Sequence, residues 1–155
     1  MERRGRITTS LPDLPIDRRM TYGAMRRAII GLPVTVSSAI LPDSLWGCYD
    51  AATEVILIDR RLTYTAKRCT LAHELLHWRH GDTGCSNDSS KQEQRTRTQT
   101  ARLLIDPAEL ALAERMYDDD LWSIAEELNV TTQVLTDYRA MLNTSRIKER
   151  FFINA

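Results

Sequence analysis

The sequence lacks most of the features that would place it in a specialised class. No stretch approaches the ~20 consecutive apolar residues needed to cross a bilayer. The opening MERRGRITTSLPDLPID is basic but has no apolar run behind it, so it does not read as a signal peptide. Cysteine is scarce: Cys48, Cys69 and Cys85 lie far apart and form no CxxC pair. An odd, irregular set points to reduced thiols in a cytoplasmic protein, not to a disulfide framework. There is no internal repeat and no low-complexity block. Nor is there an excess of charge: 21 Lys and Arg balance 21 Asp and Glu, so nothing global suggests a polyanion or an anionic membrane as partner. Locally the balance is uneven, with seven Arg against three acids in residues 1–30 and seven acids against four bases in residues 116–155.

What remains is an ordinary globular composition, 43% apolar and 27% charged over 155 residues, enough chain for one domain with a real core. Residues 1–16 carry prolines and no periodicity and read as a loosely ordered arm. Residues 17–30 have near-helical apolar spacing with Gly31 behind them, which predicts a helix. VTVSSAIL, LWGCY and EVILID read as three strands, the last two joined by a short hairpin at DAAT. Thr63 or Thr65 can cap a helix that runs through TAKRCTLAHELLHWRH to Gly81. After the polar loop DTGCSNDSS, helices are expected from Lys91 to Ile105 and at PAELALAERMY, LWSIAEEL and TTQVLTDYRAML. The order predicts an α+β fold with a small three-stranded antiparallel sheet and a helical C-terminal segment.

Histidine is the most telling scarcity. The chain has three, and all fall in TLAHELLHWRHGD, residues 70–82. HELLH is an HExxH pattern: at ~100° per residue, His73 and His77 lie about 40° apart on one face and can share an ion. Glu74 lies about 100° round from His73, beside the ion, where it can take a proton from a bound water. Leu71, Leu75 and Trp78 on the other face suit the core. An open Zn²⁺ site of this kind supplies what amide hydrolysis requires. His80 is about 10 Å of rise from His73 and is expected beside the site, not on the ion. A metzincin would need Gly at position 80 and His at 83, where this chain has His80 and Thr83.

With no histidine left, the third ligand is an acid, Asp82, Asp88 or Glu93, or else Cys85. Glu93 sits at the polar end of a stripe with Thr100, Leu104 and Ala108, where it can meet the histidine helix. Ser90-Lys-Gln-Glu93 also reads as a capping box, in which Glu93 serves only its own helix. Spacing does not choose between these.

The runs LAHELLHWRHGD and KQEQRTRTQTARLLIDP resemble the ImmA/IrrE family of metallopeptidases, as do LPDSLWGCYDAATEVILID before them and IAEELNVTTQVLTDYRAML after. The resemblance spans roughly residues 30–145. It implies that Glu93 takes the place of the family's downstream ligand Glu and that Leu103-Leu104 takes its Leu pair. Thr96, Gln99 and Thr100 stand where Ala, an aromatic and Ala are usual. It further implies a zincin-like, gluzincin-type core at residues 17–115 followed by a C-terminal helical segment at 116–155. The implied activity is that of a zinc endopeptidase, with His73, His77 and Glu93 on the ion and Glu74 as general base. The implied substrate is a specific protein, typically a transcriptional repressor, often in a phage or other mobile element.

Two expectations remain. A peptide substrate would add to a sheet edge at residues 45–49 or 55–59, and an oxyanion stabiliser would come from Tyr49, Tyr64, Tyr138 or neighbouring arginines. Residues 124–142 resemble a helix-turn-helix with Asn129-Val130-Thr131 as the turn. The competing function is therefore a DNA- or protein-binding regulator with a structural or vestigial metal site. The second helix has too little positive charge for a strong duplex reader, and a helical pair packed on the core is the expectation, with Trp122, Ile124 and Leu128 inside.

Overall fold

The structure is a computed structural model, and it describes residues 11–83 and 90–153. Helix α1, Tyr22–Ala28, starts where Thr21 accepts a hydrogen bond from the Ala24 N–H at 3.1 Å. It is shorter than expected because Asp17 closes a turn of its own, accepting from the Arg19 N–H at 2.8 Å. Strands β1 (Thr35–Ala39), β2 (Gly47–Asp50) and β3 (Val55–Asp59) follow, then helix α2 (Tyr64–His80). Helices α3 (Ser90–Leu104), α4 (Pro107–Tyr117), α5 (Leu121–Glu127) and α6 (Thr132–Ile153) complete the α+β architecture.

The sheet corrects one expectation. Its order is β1-β3-β2, with β2 antiparallel to β3 but β1 parallel to it, so it is mixed and not fully antiparallel. The β2–β3 hairpin forms as expected. Asp50 holds the turn by accepting from the Ala52 N–H at 3.0 Å and the Thr53 hydroxyl at 2.9 Å, and Glu54 completes it in the left-handed region (φ 55°). The link from β1 to β2 is longer and passes through Asp43 and Ser44, both at positive φ. It carries the chain past the position beside β1 and leaves β3 in the middle. Apolar alternation encodes which face a strand buries, not the direction of its neighbour, and β3, with Ile56 and Ile58 fully buried, is the strand best suited to the centre.

Helix α2 lies against β2 and β3 and touches α1 and α3 on its other sides. Leu71, Ala72 and Leu75 are fully buried in the shared core. Thr63 caps it, accepting from the Ala66 N–H at 3.2 Å. Arg68, in its second turn, is 1% exposed. The guanidinium donates to three backbone carbonyls, those of Met20, Arg18 and Asn129, and so ties the segment before α1 and the α5–α6 turn to α2. Ile16, at the end of the expected arm, is buried in the same core.

The α5–α6 turn falls where the sequence places it, with Asn129 at φ 52°. Ile124 and Leu135 are fully buried, whereas Trp122 is 76% exposed, against the expectation that it joins the core. Among the described residues no helix is long and apolar enough to cross a membrane.

Candidate metal centre

Both histidines of the HExxH run project from α2 toward the start of α3. His73 Nε2 and His77 Nε2 are 3.1 Å apart, and the Glu93 carboxylate reaches both, Oε1 to His73 at 3.1 Å and Oε2 to His77 at 3.1 Å. One ligand atom from each residue lies within 4.8 Å of the others, and these three form the metal-ready cluster among the described residues. Tetrahedral ligands held ~2.0–2.1 Å from a zinc ion stand roughly 3.3 Å from each other, so the triad has the spacing of one face of such a site. Glu93 turns its carboxylate to the histidines. The alternative ligands Cys85 and Asp88 lie outside the described residues.

Asp82 does not join this cluster. Its Oδ2 lies 2.8 Å from His77 Nδ1, on the far side of the ring from the cluster. The local backbone explains this. Gly81 takes the left-handed conformation (φ 70°), and the Gly81 and Asp82 N–H groups return to the carbonyls of Trp78 and His77, a Schellman motif. That turn folds Asp82 back over the last histidine. A neutral His77 that gives its Nδ1–H to Asp82 would leave Nε2 free to hold an ion. Arg95 donates to the same carboxylate oxygen, and Thr96, fully buried, places its hydroxyl 3.3 Å from His77 Nδ1. His80 is not part of the cluster: its Nε2 meets Gln99 Oε1 at 2.6 Å. Thr96 and Gln99, two of the departures from the family pattern, thus make the α3 surface that faces the histidine helix polar.

Charges in the cluster shift accordingly. Hydrogen bonds from His73 and His77 hold the Glu93 carboxyl well below the usual carboxylate range. Burial disfavours a charged His77, but hydrogen bonds to Glu93 and Asp82 outweigh it and raise its pKa. Asp82 is likewise opposed by burial, yet His77 and Arg95 lower its pKa overall. Glu74 is 8% exposed. Burial pushes its pKa up against the pull of His73 and His77 and a backbone hydrogen bond from Tyr49.

The cluster opens into a cleft of about 340 Å³, bounded by Leu45 to Cys48 on one side and by Thr131 to Asp137 on the other. Strand β2 is an edge strand of the sheet. The Asp59 N–H donates to the Trp46 carbonyl at 2.9 Å, and antiparallel alternation then turns the N–H and C=O of Gly47 and Tyr49 outward. Strand β3 is central, so residues 55–59 offer no edge. Tyr49 and Tyr138 are core residues and Tyr64 is 76% exposed, and none of the three lines the cleft.

Sequence reasoning missed three features of the site: the orienting role of Asp82, the ion pair between Arg97 and Asp137, and the closeness of Gly47 to α2. The first had a readable signal in Gly81-Asp82 directly after the last histidine turn. The other two depend on how α3, α6 and β2 meet. Cys69 is free and buried, and Cys85 lies outside the described residues.

A family model described as the IrrE N-terminal-like domain, of a peptidase family, matches residues 31–140, close to the span of the sequence resemblance. No curated protein matches the chain.

Proposed function

The chain belongs to the IrrE N-terminal-like domain family of peptidases, and from that footing we propose that it is a zinc-dependent endopeptidase hydrolysing a specific protein substrate. The observation that carries this reading is the meeting of His73, His77 and Glu93 at mutual spacings of 3.1 Å. Two imidazoles and a carboxylate suit zinc and leave a fourth position open. When bound, zinc supplies Lewis acidity, lowering the pKa of a coordinated water and polarising the scissile carbonyl.

The chain's own residues do the rest. Asp82 fixes the ring and tautomer of His77. Glu74, buried beside the cluster at the floor of the cleft, accepts the proton of the attacking water and passes it to the departing amine. Its raised pKa strengthens it as a base. The outward N–H and C=O of Gly47 receive an extended peptide along β2, which runs the scissile bond past Glu74. Resemblance to the ImmA/IrrE family makes a transcriptional repressor the substrate to try first.

The regulator reading has less support. The first turns of α6 spend Val134, Leu135 and Tyr138 on the core and Gln133 and Asp137 on the cleft wall, and Arg139 is paired with Glu114. A duplex-binding helix would present basic side chains there instead.

Elemental analysis of zinc in the wild type and in Glu93→Ala, purified identically without chelator, tests the site. Near-equimolar zinc in the first and clear loss in the second is the expected result, and equal zinc in both would sink Glu93 as a ligand. Glu74→Gln should keep the metal and abolish cleavage; retained turnover would remove Glu74 from its role.

A further inference from the structure

Among the described residues that line the cleft, a single Lys or Arg occurs: Arg97. It lies one turn after Glu93 on α3 and so shares the face that carries the third ligand. Glu93 is close enough to act on its charge. Its guanidinium is held from the opposite wall. Nε donates to Asp137 Oδ2 at 3.1 Å and Nη2 to Oδ1 at 2.7 Å, a bidentate pair that fixes the plane of the group. Asp137 is held in turn, since Gln133 Nε2 donates to its Oδ1 at 3.0 Å. Asp137 is nearly buried, at 12% side-chain exposure, while Arg97 keeps 36%.

A guanidinium has five N–H groups, and Asp137 takes two. The three that remain belong to a group whose charge is already balanced by a carboxylate. A second carboxylate would have to compete with Asp137 and would meet its repulsion. A peptide carbonyl oxygen is neutral, needs only donors, and meets no such opposition. We propose that Arg97 is a positioning residue for the substrate, its remaining N–H groups holding a main-chain carbonyl of the peptide in the cleft while Asp137 of α6 keeps the guanidinium plane fixed. This rests on the peptidase reading and gives the α5–α6 segment a task in that reaction: it supplies the wall that aims Arg97.

The test measures binding to the full-length, zinc-loaded chain by calorimetry with two probes. Acetohydroxamate chelates the metal and carries no further amide. A phosphinic pseudotetrapeptide also chelates but has amide carbonyls on both sides of its metal-binding group. Loss of one hydrogen bond to a charged donor is expected to weaken the pseudotetrapeptide about tenfold in Arg97→Met, with acetohydroxamate unchanged. Arg97→Lys, which restores a cation and one donor, should recover part of the loss. Unchanged affinity for both probes overturns the proposal. Equal weakening of both also overturns it, because Arg97 would then only be holding the metal site together. Failure of the wild type to bind acetohydroxamate at all would instead bring down the metallopeptidase reading and this proposal with it.

Discussion

Gly47 offers the sharpest test of how the sheet and the active-site helix fit together. Its φ is not in the left-handed region, so a side chain there carries no backbone penalty and the cost of adding one is steric. A Cβ on Gly47 would stand 2.5 Å from Thr70 Cγ2, 3.1 Å from Glu74 Cγ and 3.3 Å from Glu74 Oε1. The first distance cannot be tolerated. Thr70 is 7% exposed on a helix, and a β-branched side chain there has few rotamers to escape into. Gly47→Ala must therefore push β2 away from α2, an overpacking cost of about 1–3 kcal/mol. In a chain of this size that corresponds to a fall in Tm of about 2–12 °C. Urea unfolding of Gly47→Ala, Thr70→Ser and the double variant closes the cycle. Thr70→Ser alone loses a buried methyl, about 0.8 kcal/mol. In the double variant the closest clash is gone, and it should be at least about 1 kcal/mol more stable than the sum of the single changes implies. Peptide hydrolysis should recover less than stability does, because the Glu74 contacts remain. Strict additivity would show that β2 does not rest on Thr70 and would refute the packing argument.

Asp82→Ala should leave the fold of α2 in place and weaken zinc affinity about 10- to 100-fold, the usual effect of losing a carboxylate that orients a ligating imidazole. Competition with a calibrated chelator reads it, and unchanged affinity would remove Asp82 from that role. The pH dependence should reverse with metal. Without metal, the raised pKa of His77 contributes stability that is complete below the unfolded value of about 6.5 and lost as pH rises through the folded value. The lowered pKa of Glu93 contributes above its unfolded value of about 4.3 and is lost as pH falls through the folded value. Chelator-treated protein should thus melt highest between about pH 4.3 and 6.5. Zinc needs a neutral imidazole, so its stabilising effect should grow as pH rises past His77. Melting curves across pH with and without zinc decide this, and a metal-free Tm that does not fall above pH 6.5 counts against the pairing of His77 with Glu93.

Much of the site was readable because its central part is local. HELLH places two imidazoles and a carboxylate by helical geometry alone, and Thr63 and Gly81 bound that helix in both the sequence and the structure. Glu93 was one of several candidates by spacing; the resemblance selected it and the fold brought its carboxylate to both histidines. Helix positions, the β2–β3 hairpin and the Asn129 turn were legible for the same reason, since caps, turn residues and periodicity act over a few residues. The orientation of β1 was not, because it is set by a long connection and by which strand is most fully buried. Arg97 and Asp137 are 40 residues apart, and Gly47 and Thr70 meet across a layer. No local rule relates such pairs. By itself the sequence determined the helix that carries the chemistry and the residue types offered to the ion. Tertiary structure alone decided how the Glu93 carboxylate reaches both histidines, which acid meets the far nitrogen of His77, and where the cleft opens, because those depend on the packing of helices and strands that only long-range burial brings together.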